Sequence, residues 1–178
     1  MNLKSQLMDE AQLRRSMARI AHEIIEKNNG AEDVCLLGIK RRGIPLSRLV
    51  QADIQKFEGV YLPCGSIDIS LYRDDLTRMQ EEPRTNACEI PFSVDQKKII
   101  LIDDVLYTGR TARAAIEAVF AHGRPQSIQL AVLVDRGHRE LPIRPDYVGK
   151  NIPTSRHELV AVKVREYDGI YGVGLYTL

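Results

Sequence analysis

The chain has 178 residues, of which 44% are hydrophobic and 28% charged, which is typical of one folded domain, here expected over residues 1–178. Its 25 Lys and Arg residues nearly balance 24 Asp and Glu residues and leave a net charge of +1. That balance excludes a protein that binds nucleic acid or an anionic membrane through its overall net charge. The longest apolar runs fall far short of the roughly 18 residues that a membrane-spanning helix needs.

The N-terminal residues and the cysteines indicate a cytoplasmic protein. Residues 1–12 contain Lys4, Asp9 and Glu10 and no apolar core segment, unlike a secretory signal or a transit peptide. The three cysteines are odd in number and widely spaced, unlike a disulfide framework or a zinc site. We therefore expect a cytoplasmic location, no membrane partner and reduced thiols.

The first predicted element is an amphipathic helix. Asp9, followed three residues later by Gln12, has the form of a capping box, and apolar residues then recur at helical spacing up to a stop at Gly30. The opposite face of this helix carries Arg15, Arg19 and His22. Such a face is either an ordinary solvated surface or part of a binding surface.

Apolar strands alternate with helices over most of the remaining chain. This alternation predicts an α/β fold whose central, mostly parallel sheet is flanked by helices. A polar stretch of about twenty residues, from Leu71 to Pro91, is long for a compact domain and is expected to be a lid or a plain surface loop. Further predicted helices run from Pro45 to about 57 and over 110–122. The predicted strands are 34–39, around 67–70, 99–103, 127–134, 159–164 and 170–176.

The most informative segment is IILIDDVLYTGRT, residues 99–111. Asp103 and Asp104 stand where an apolar strand stops, and open parallel sheets bind ligands beyond the carboxyl ends of their strands. The next turn contains Thr108 and Gly109 and leads into a helix, which suits a phosphate. Carboxylates beside a phosphate seat fit a phosphorylated sugar with a divalent cation. The alternative is an ordinary acidic turn before a helix.

This segment resembles the signature of type I phosphoribosyltransferases at every position of the motif. The resemblance implies that family's fold, with a flexible lid loop and a small hood, and binding of 5-phosphoribosyl 1-diphosphate (PRPP). It implies that the two acidic residues hold the ribose diol, and that Mg²⁺ arrives with PRPP and has no direct protein ligand. The implied PRPP-binding residues of the segment are Asp103, Asp104, Val105, Leu106, Tyr107, Thr108, Gly109, Arg110 and Thr111.

A basic loop follows another predicted strand. In the resembled family this position holds the pyrophosphate loop, which often contains a non-proline cis peptide and whose donors stabilise the leaving group. Arg41 stands where relatives commonly have a smaller polar residue, so the expected role belongs to the loop and not to that side chain. The alternative is a solvated basic turn. The loop consists of Lys40, Arg41, Arg42 and Gly43.

The polar stretch from Leu71 to Pro91 would be the lid that closes over PRPP. A closed lid excludes water, which would otherwise hydrolyse the reactive sugar. Tyr72 and Arg73 lie near its root. The candidate catalytic residues are therefore Tyr72, Arg73, Asp103 and Asp104.

Residues 134–155 narrow the resemblance to bacterial pyrimidine operon regulators that are also uracil phosphoribosyltransferases (PyrR type), as do residues 14–23 and 68–76. The resemblance implies transfer of phosphoribose from PRPP to N1 of uracil, which gives UMP and pyrophosphate. Val134, Asp135 and Arg136 would border the base. It also implies binding of the leader mRNA of pyrimidine genes, favoured by the uridine nucleotides UMP and UTP. From residue 165 onward the chain lacks the strongly acidic tail of some relatives.

The candidate RNA-binding surface combines the basic helix face with the locally basic residues 135–156 and the basic loop, if those elements adjoin. We expect Arg139→Ala or Arg144→Ala to weaken RNA binding and to leave uracil turnover largely intact. The alternatives are a salvage enzyme with no RNA role and a nucleotide sensor with little catalysis. Relatives form dimers and larger assemblies, so a homo-oligomer is expected. The candidate RNA-binding residues are Arg15, Arg19, His22, His138, Arg139, Arg144 and Lys150.

Overall fold

The structure, a computed structural model, describes residues 2–70, 72 and 88–178. Its helices and strands, in chain order, are β1 (Asn2–Met8), α1 (Glu10–Lys27), β2 (Val34–Ile39), α2 (Gly43–Glu58), β3 (Cys64–Ile67), β4 (Lys98–Leu106), α3 (Arg110–His122), β5 (Ser127–Asp135), β6 (Tyr147–Asn151), β7 (Glu158–Lys163), α4 (Arg165–Asp168) and β8 (Gly172–Thr177). None of the described helices is long and apolar enough to cross a bilayer.

A five-stranded sheet in the order β3-β2-β4-β5-β6 forms the centre of the fold, and all of its strand pairs are parallel. Successive side chains of a strand point to opposite faces, so Ile100 and Ile102 pack with α1 and α2, whereas Ile99 and Leu101 pack with α3. This arrangement confirms the predicted α/β fold. The strand order reverses beside β4, which places the ends of β2, β4 and β5 at one edge of the sheet.

A second, antiparallel sheet in the order β1-β8-β7 is built from both ends of the chain. The sequence predicted β7 and β8 but not β1. Residues 2–6 are exposed and carry no clear alternation of apolar and polar side chains. Their strand forms because β8, more than 160 residues later in the chain, offers a hydrogen-bonding edge.

The capping box at the start of α1 is confirmed, because the Asp9 side chain accepts from the Gln12 amide while the Gln12 side chain accepts from the Asp9 amide. Other predicted bounds were wrong. Helix α2 begins at Gly43, two residues before Pro45, and β3 spans Cys64–Ile67 instead of residues around 67–70. Strand β6 forms between residues 134 and 159, where the sequence predicted neither a strand nor a helix.

A buried polar cluster joins α1 to the sheet. The Tyr147 hydroxyl donates to Gln129 Oε1 at 2.6 Å and accepts from Asn28 Nδ2 at 3.3 Å, and Gln129 Nε2 donates to Asn28 Oδ1 at 2.9 Å. Burial raises the pKa of Tyr147 to about 12. Each polar group in this cluster therefore has a partner in place of water.

We expect Tyr147→Phe to lower the free energy of unfolding by about 1–2 kcal/mol, because the buried amides lose a partner that water does not replace. Urea denaturation measures this change. Tyr61→Phe is the matched control, since the Tyr61 side chain is 68% exposed and its hydroxyl stays in water. Equal effects of the two substitutions would show that the buried cluster adds no stability.

Candidate active site

Two adjacent carboxylates lie near the end of the central strand. The strand continues to Leu106, so Asp103 and Asp104 lie inside β4 and not, as expected, where it stops. Each side chain accepts a hydrogen bond from the next backbone amide: Asp103 from the Asp104 N–H and Asp104 from the Val105 N–H, both at 2.9 Å. These local bonds fix both carboxylates at the ligand-binding edge of the sheet.

Burial raises the pKa of both acids. The neighbouring charge of Asp104 raises the pKa of Asp103 further, whereas hydrogen bonds and the charge of Arg42 partly counteract the effect of burial on Asp104. Within the described part of the chain neither carboxylate forms an ion pair. Such a pair is ready to accept hydroxyl hydrogen bonds or to lie beside a cation, because either would relieve the cost of burying charge.

The loop between β4 and α3 forms a cavity of about 400 Å³, which Asp103, residues 105–112 and Glu140 help to line. Gly109 caps α3 with φ +94°, a left-handed conformation that glycine adopts without strain. Thr108 Oγ1 accepts from the Arg110 amide at 3.3 Å. The backbone amides of the first turn of α3 and the positive end of its dipole suit a phosphate group.

The basic loop, residues 40–43, lies at the end of β2, beside β4. The Lys40–Arg41 peptide bond is cis. Lys40 Nζ is 3.9 Å from Asp68 Oδ2, and the Arg41 guanidinium lies over the Tyr167 ring, 4.8 Å from its centroid. The loop therefore reaches from the end of β3 to α4.

Arg42 connects this loop to α4, and its charge partly counteracts the burial that raises the pKa of Asp104. Its Nη2 lies 3.1 and 3.3 Å from the two carboxylate oxygens of Asp168. Asp168 also accepts from the Val164 amide at 2.9 Å, which fixes the carboxylate. The Arg42 side chain is 36% exposed, so part of the guanidinium can still meet an anionic ligand.

The end of β5 forms the third side of the site. Val134 is fully buried, and the Arg136 side chain, 5% exposed, bonds Thr154 Oγ1 and the carbonyls of Ser155 and Glu158. Its guanidinium lies 4.1 Å from the Tyr107 ring centroid. Arg136 thus joins the two sheets, and its side chain is already engaged where the sequence suggested a border to the base.

Only part of the predicted lid lies within the described residues. Tyr72 is half-buried, packs against the core on the α3 side, and donates its amide to the Ile69 carbonyl at 2.9 Å. Arg73, and with it most of residues 71–91, lies outside the described residues.

The basic face of α1 adjoins β6. Arg19 Nη2 donates to the carbonyls of Val148 and Gly149 at 3.1 and 2.7 Å. Arg15, Arg19 and Lys150 help to line a shallow groove of about 340 Å³. His22, farther along the helix, stacks on Phe57 with ring centroids 3.8 Å apart. The helix face and the residues of β6 therefore form one surface.

The remaining RNA-binding candidates surround a separate cleft of about 470 Å³, lined in part by His138, Arg139 and Arg144. His138 Nε2 lies 2.5 Å from the Thr154 carbonyl, and Arg139 is bound to Asp135 and Tyr107, whereas Arg144 is exposed. The basic loop makes its described contacts with β3 and α4 instead of with α1. These contacts therefore do not indicate a single basic surface that includes this loop.

Sequence reasoning missed Asp168 and Thr154, which orient Arg42 and Arg136. No local pattern marks either residue. Each acts on a partner 18 or 126 positions away in the chain, and only the meeting of the two sheets brings these pairs together.

An acid pair, a phosphate-binding helix start and a basic loop at adjoining strand ends define the class of phosphoribosyltransferases. The phosphoribosyl transferase domain family matches residues 4–167. The fold is similar to that of hypoxanthine phosphoribosyltransferases from Staphylococcus aureus (TM-score 0.73, 21% identity, 98% of this chain and 96% of that one) and Trypanosoma cruzi (TM-score 0.73, 18% identity, 98% and 97%).

Closer relatives carry the name Bifunctional protein PyrR. The chain is 61% identical to that of Clostridium novyi over 176 residues, 99% of both chains, and 60% identical to that of Caldicellulosiruptor bescii over 163 residues, 92% of this chain and 90% of the relative. The chain therefore belongs to the phosphoribosyltransferase family and, within it, to the group of bifunctional PyrR proteins.

Proposed function

We propose that this chain transfers phosphoribose from PRPP to uracil, releasing UMP and pyrophosphate, and that it binds leader mRNA of pyrimidine genes when a uridine nucleotide is bound. The observation that carries the enzymatic proposal is the placement of three complementary sites at the ends of β2, β4 and β5. The two substrates together carry a phosphate, a diol, a diphosphate and a base. Each of these four groups has a chemically suitable protein group at this edge of the sheet.

The 5-phosphate would bind at the start of α3, and the ribose hydroxyls would donate to Asp103 and Asp104. The basic loop would face the diphosphate, with the partly exposed Arg42 side chain held by Asp168. The end of β5 would face uracil through backbone groups, because Val134 is buried and the Arg136 side chain is engaged. Positioning and charge stabilisation, not a covalent nucleophile, would then supply the catalysis.

The acid pair fits Mg²⁺ that arrives with PRPP. Two carboxylates lie together, yet the described residues contain no group of three or more His, Cys, Asp or Glu that could hold a metal alone. The diphosphate and hydroxyl oxygens of PRPP would supply the ligands that this hard cation requires, and the two carboxylates would lie nearby without coordinating it directly. When bound, Mg²⁺ offsets charge on the leaving pyrophosphate.

In this mechanism the C1–oxygen bond to pyrophosphate breaks as a bond forms between C1 and N1 of uracil, and the N1 proton passes to solvent. Arg42 and the other donors of the basic loop hold the departing charge, and Asp103 and Asp104 keep C1 in line with the base. A colorimetric assay of pyrophosphate released from PRPP and uracil tests this activity. If pyrophosphate release does not depend on uracil, the enzymatic proposal is wrong.

The RNA proposal depends on exposed cations outside the active site. Arg15, Arg19 and Lys150 share one groove, and Arg144 lies exposed beside the neighbouring cleft. RNA loops are bound by such cations through phosphates and bases. We further propose that the chain forms a single domain and assembles into a homo-oligomer. It would work in the cytoplasm, where both RNA and substrates are available.

We expect Arg144→Ala to weaken binding of a pyrimidine leader transcript about tenfold and to leave uracil turnover unchanged. Filter-binding titrations with and without UMP measure the first effect, and pyrophosphate release measures the second. Arg124→Ala is the matched control, since this exposed arginine lies near the opposite, N-terminal end of the sheet.

The two alternative functions give different results in these assays. A salvage enzyme without an RNA role would turn over uracil and show no UMP-dependent binding of the transcript. A nucleotide sensor would bind the transcript without releasing pyrophosphate. The intact acid pair and basic loop favour an active enzyme over the sensor.

A further inference from the structure

The phosphate-binding loop is fixed by residues 136–141, here named the brace segment. The Arg136 amide donates to the Leu106 carbonyl at 3.1 Å, and the amides of Glu140 and Leu141 donate to the Thr108 carbonyl at 2.9 and 3.2 Å. The Glu140 carboxylate also pairs with the Arg110 guanidinium at 2.8 Å. The loop that would bind the 5-phosphate therefore takes its shape from the chain that follows β5.

Arg139 is the one side chain of the brace segment that bonds both sides of the site within the described residues. Its Nη1 donates to the Tyr107 carbonyl at 2.8 Å, and its Nη2 donates to Asp135 Oδ2 at 2.6 Å. The other oxygen of Asp135 accepts from the Gly137 amide at 3.0 Å. One guanidinium thus spans from the phosphate-binding loop to the end of β5.

This bridge is well shielded from water. The side chains of Arg139 and Asp135 are only 21% and 13% exposed, and the Arg139 Nε is buried. A charge-assisted hydrogen bond gains strength from such shielding. By contrast, the exposed pairs of similar spacing on α1 and α3, Arg14 with Glu10 and Arg113 with Glu117, lie in water and are weak.

We propose that Arg139 is a positioning residue of phosphoribosyl transfer, which holds the phosphate-binding loop and the base-binding end of β5 at a fixed separation. The inference rests on the proposed function, because it assigns those two elements to the two ends of a nucleotide. The 5-phosphate and the base of UMP are separated by one ribose, so correct binding of one end requires the other seat to be in place. Arg139 fixes the separation of the two binding sites through two N–H donors of its planar guanidinium group.

The role differs from the RNA contact that the sequence suggested for Arg139. Two of its three nitrogens are already engaged inside the site, so Arg139→Ala is expected to lower uracil turnover as well. Arg144, which is exposed on the same stretch of chain, is the better residue for separating the two activities.

The test compares Arg139→Gln and Arg139→Lys with the unchanged protein. Lysine keeps the charge but offers a single ammonium group in place of the planar fork, so it can satisfy one acceptor well but not both in the native geometry. Calorimetry gives the Kd of UMP, which occupies both seats, and of ribose 5-phosphate, which occupies one. Steady-state assays give kcat and the KM values for PRPP and uracil.

We expect Arg139→Gln to weaken UMP binding about tenfold and Arg139→Lys to give an intermediate loss. Ribose 5-phosphate affinity should change less than UMP affinity, because only the nucleotide must reach both seats. The KM values for PRPP and uracil should both rise, and kcat should fall. Circular dichroism at the assay temperature confirms that the compared variants are folded, and Arg14→Gln on the exposed helix pair serves as control.

Three results would overturn the inference. UMP affinity within twofold of the unchanged protein in Arg139→Gln would show that the bridge does not set the site. Full activity in Arg139→Lys would show that the two-acceptor geometry is irrelevant, and an equal loss of UMP and ribose 5-phosphate affinity would show that only the loop is affected. If the unchanged protein binds UMP but releases no pyrophosphate from PRPP and uracil, the proposed function is contradicted instead. The UMP titrations of the variants would still decide the role of Arg139.

Discussion

Asp103→Asn is expected to reduce uracil turnover at least about 100-fold while making the unliganded protein more stable. The loss of activity follows because the amide removes the negative charge that would face the ribose hydroxyls and the cation carried by PRPP. The gain in stability follows because a buried carboxylate without an ion pair among the described residues disfavours the folded state at neutral pH. We expect about 1 kcal/mol, or roughly 3 °C in Tm.

The pH dependence gives this prediction its sign. Burial raises the pKa of Asp103 in the folded chain, so the folded state binds more protons than the unfolded state between the ordinary and the raised pKa. Stability of the unliganded protein therefore falls as the pH rises through that window. The Asn variant lacks this contribution, so its advantage should be largest above the window and should shrink as the pH is lowered.

Ligand binding should depend on pH in the opposite direction. PRPP with Mg²⁺ requires the ionised acids, so its affinity should fall as the pH is lowered through the raised pKa values of Asp103 and Asp104. Calorimetric titrations at several pH values measure this effect. Asp33→Asn is the matched control, because Asp33 is exposed and forms an ion pair with Lys97 far from the site. Normal turnover and no rise in Tm for Asp103→Asn would contradict the assignment.

The second large effect is expected for Gly43→Ala at the start of α2. A Cβ on Gly43 would overlap the Ile102 carbonyl oxygen, at a separation well under the 3.0 Å that real Cβ atoms respect. Alanine would otherwise favour the helix by about 1 kcal/mol, but displacing the backbone of a central strand costs more. We expect a net loss of about 2–3 kcal/mol in the free energy of unfolding, together with a marked loss of turnover.

The loss of turnover follows from the position of Gly43. The basic loop ends at Gly43, and the small size of this residue lets the loop approach β4 closely. The point of approach is Ile102, one residue before the acid pair. Urea denaturation and pyrophosphate release measure the two effects. Gly172→Ala is the control, because a Cβ on Gly172 would meet only the Met8 carbonyl oxygen at 3.4 Å, an ordinary contact. Near-native stability and turnover in Gly43→Ala would show that α2 can move away from β4 at little cost.

The sequence predicted a candidate site but not the contacts between the elements that form it. The apolar lead-in, acid pair, Thr108 and Gly109 all lie within one short segment, so their order alone predicted a strand, a phosphate-binding turn and a helix. Gly43 was predicted only as the last residue of the basic loop. Its closeness to Ile102 depends on two strands lying side by side, which no local pattern shows.

The RNA-binding candidates show the same division. The helical period correctly placed Arg15, Arg19 and His22 on the solvent face of α1. It could not show that Arg19 bonds the carbonyls of β6. A list of basic residues likewise cannot distinguish the exposed Arg144 from Arg139, whose side chain is bound inside the site.

The amino-acid sequence by itself determined the α/β class, the capping box of α1, the turn before α3 and the acid pair, because each follows from neighbouring residues and from backbone preferences that act over a few positions. The tertiary structure alone decided that β1 would pair with β8, that Asp168 would hold Arg42, and that Arg139 would span Tyr107 and Asp135. These contacts join groups through the packing of separate elements, and the geometry of a hydrogen bond depends on distances of tenths of an ångström that only the assembled fold defines.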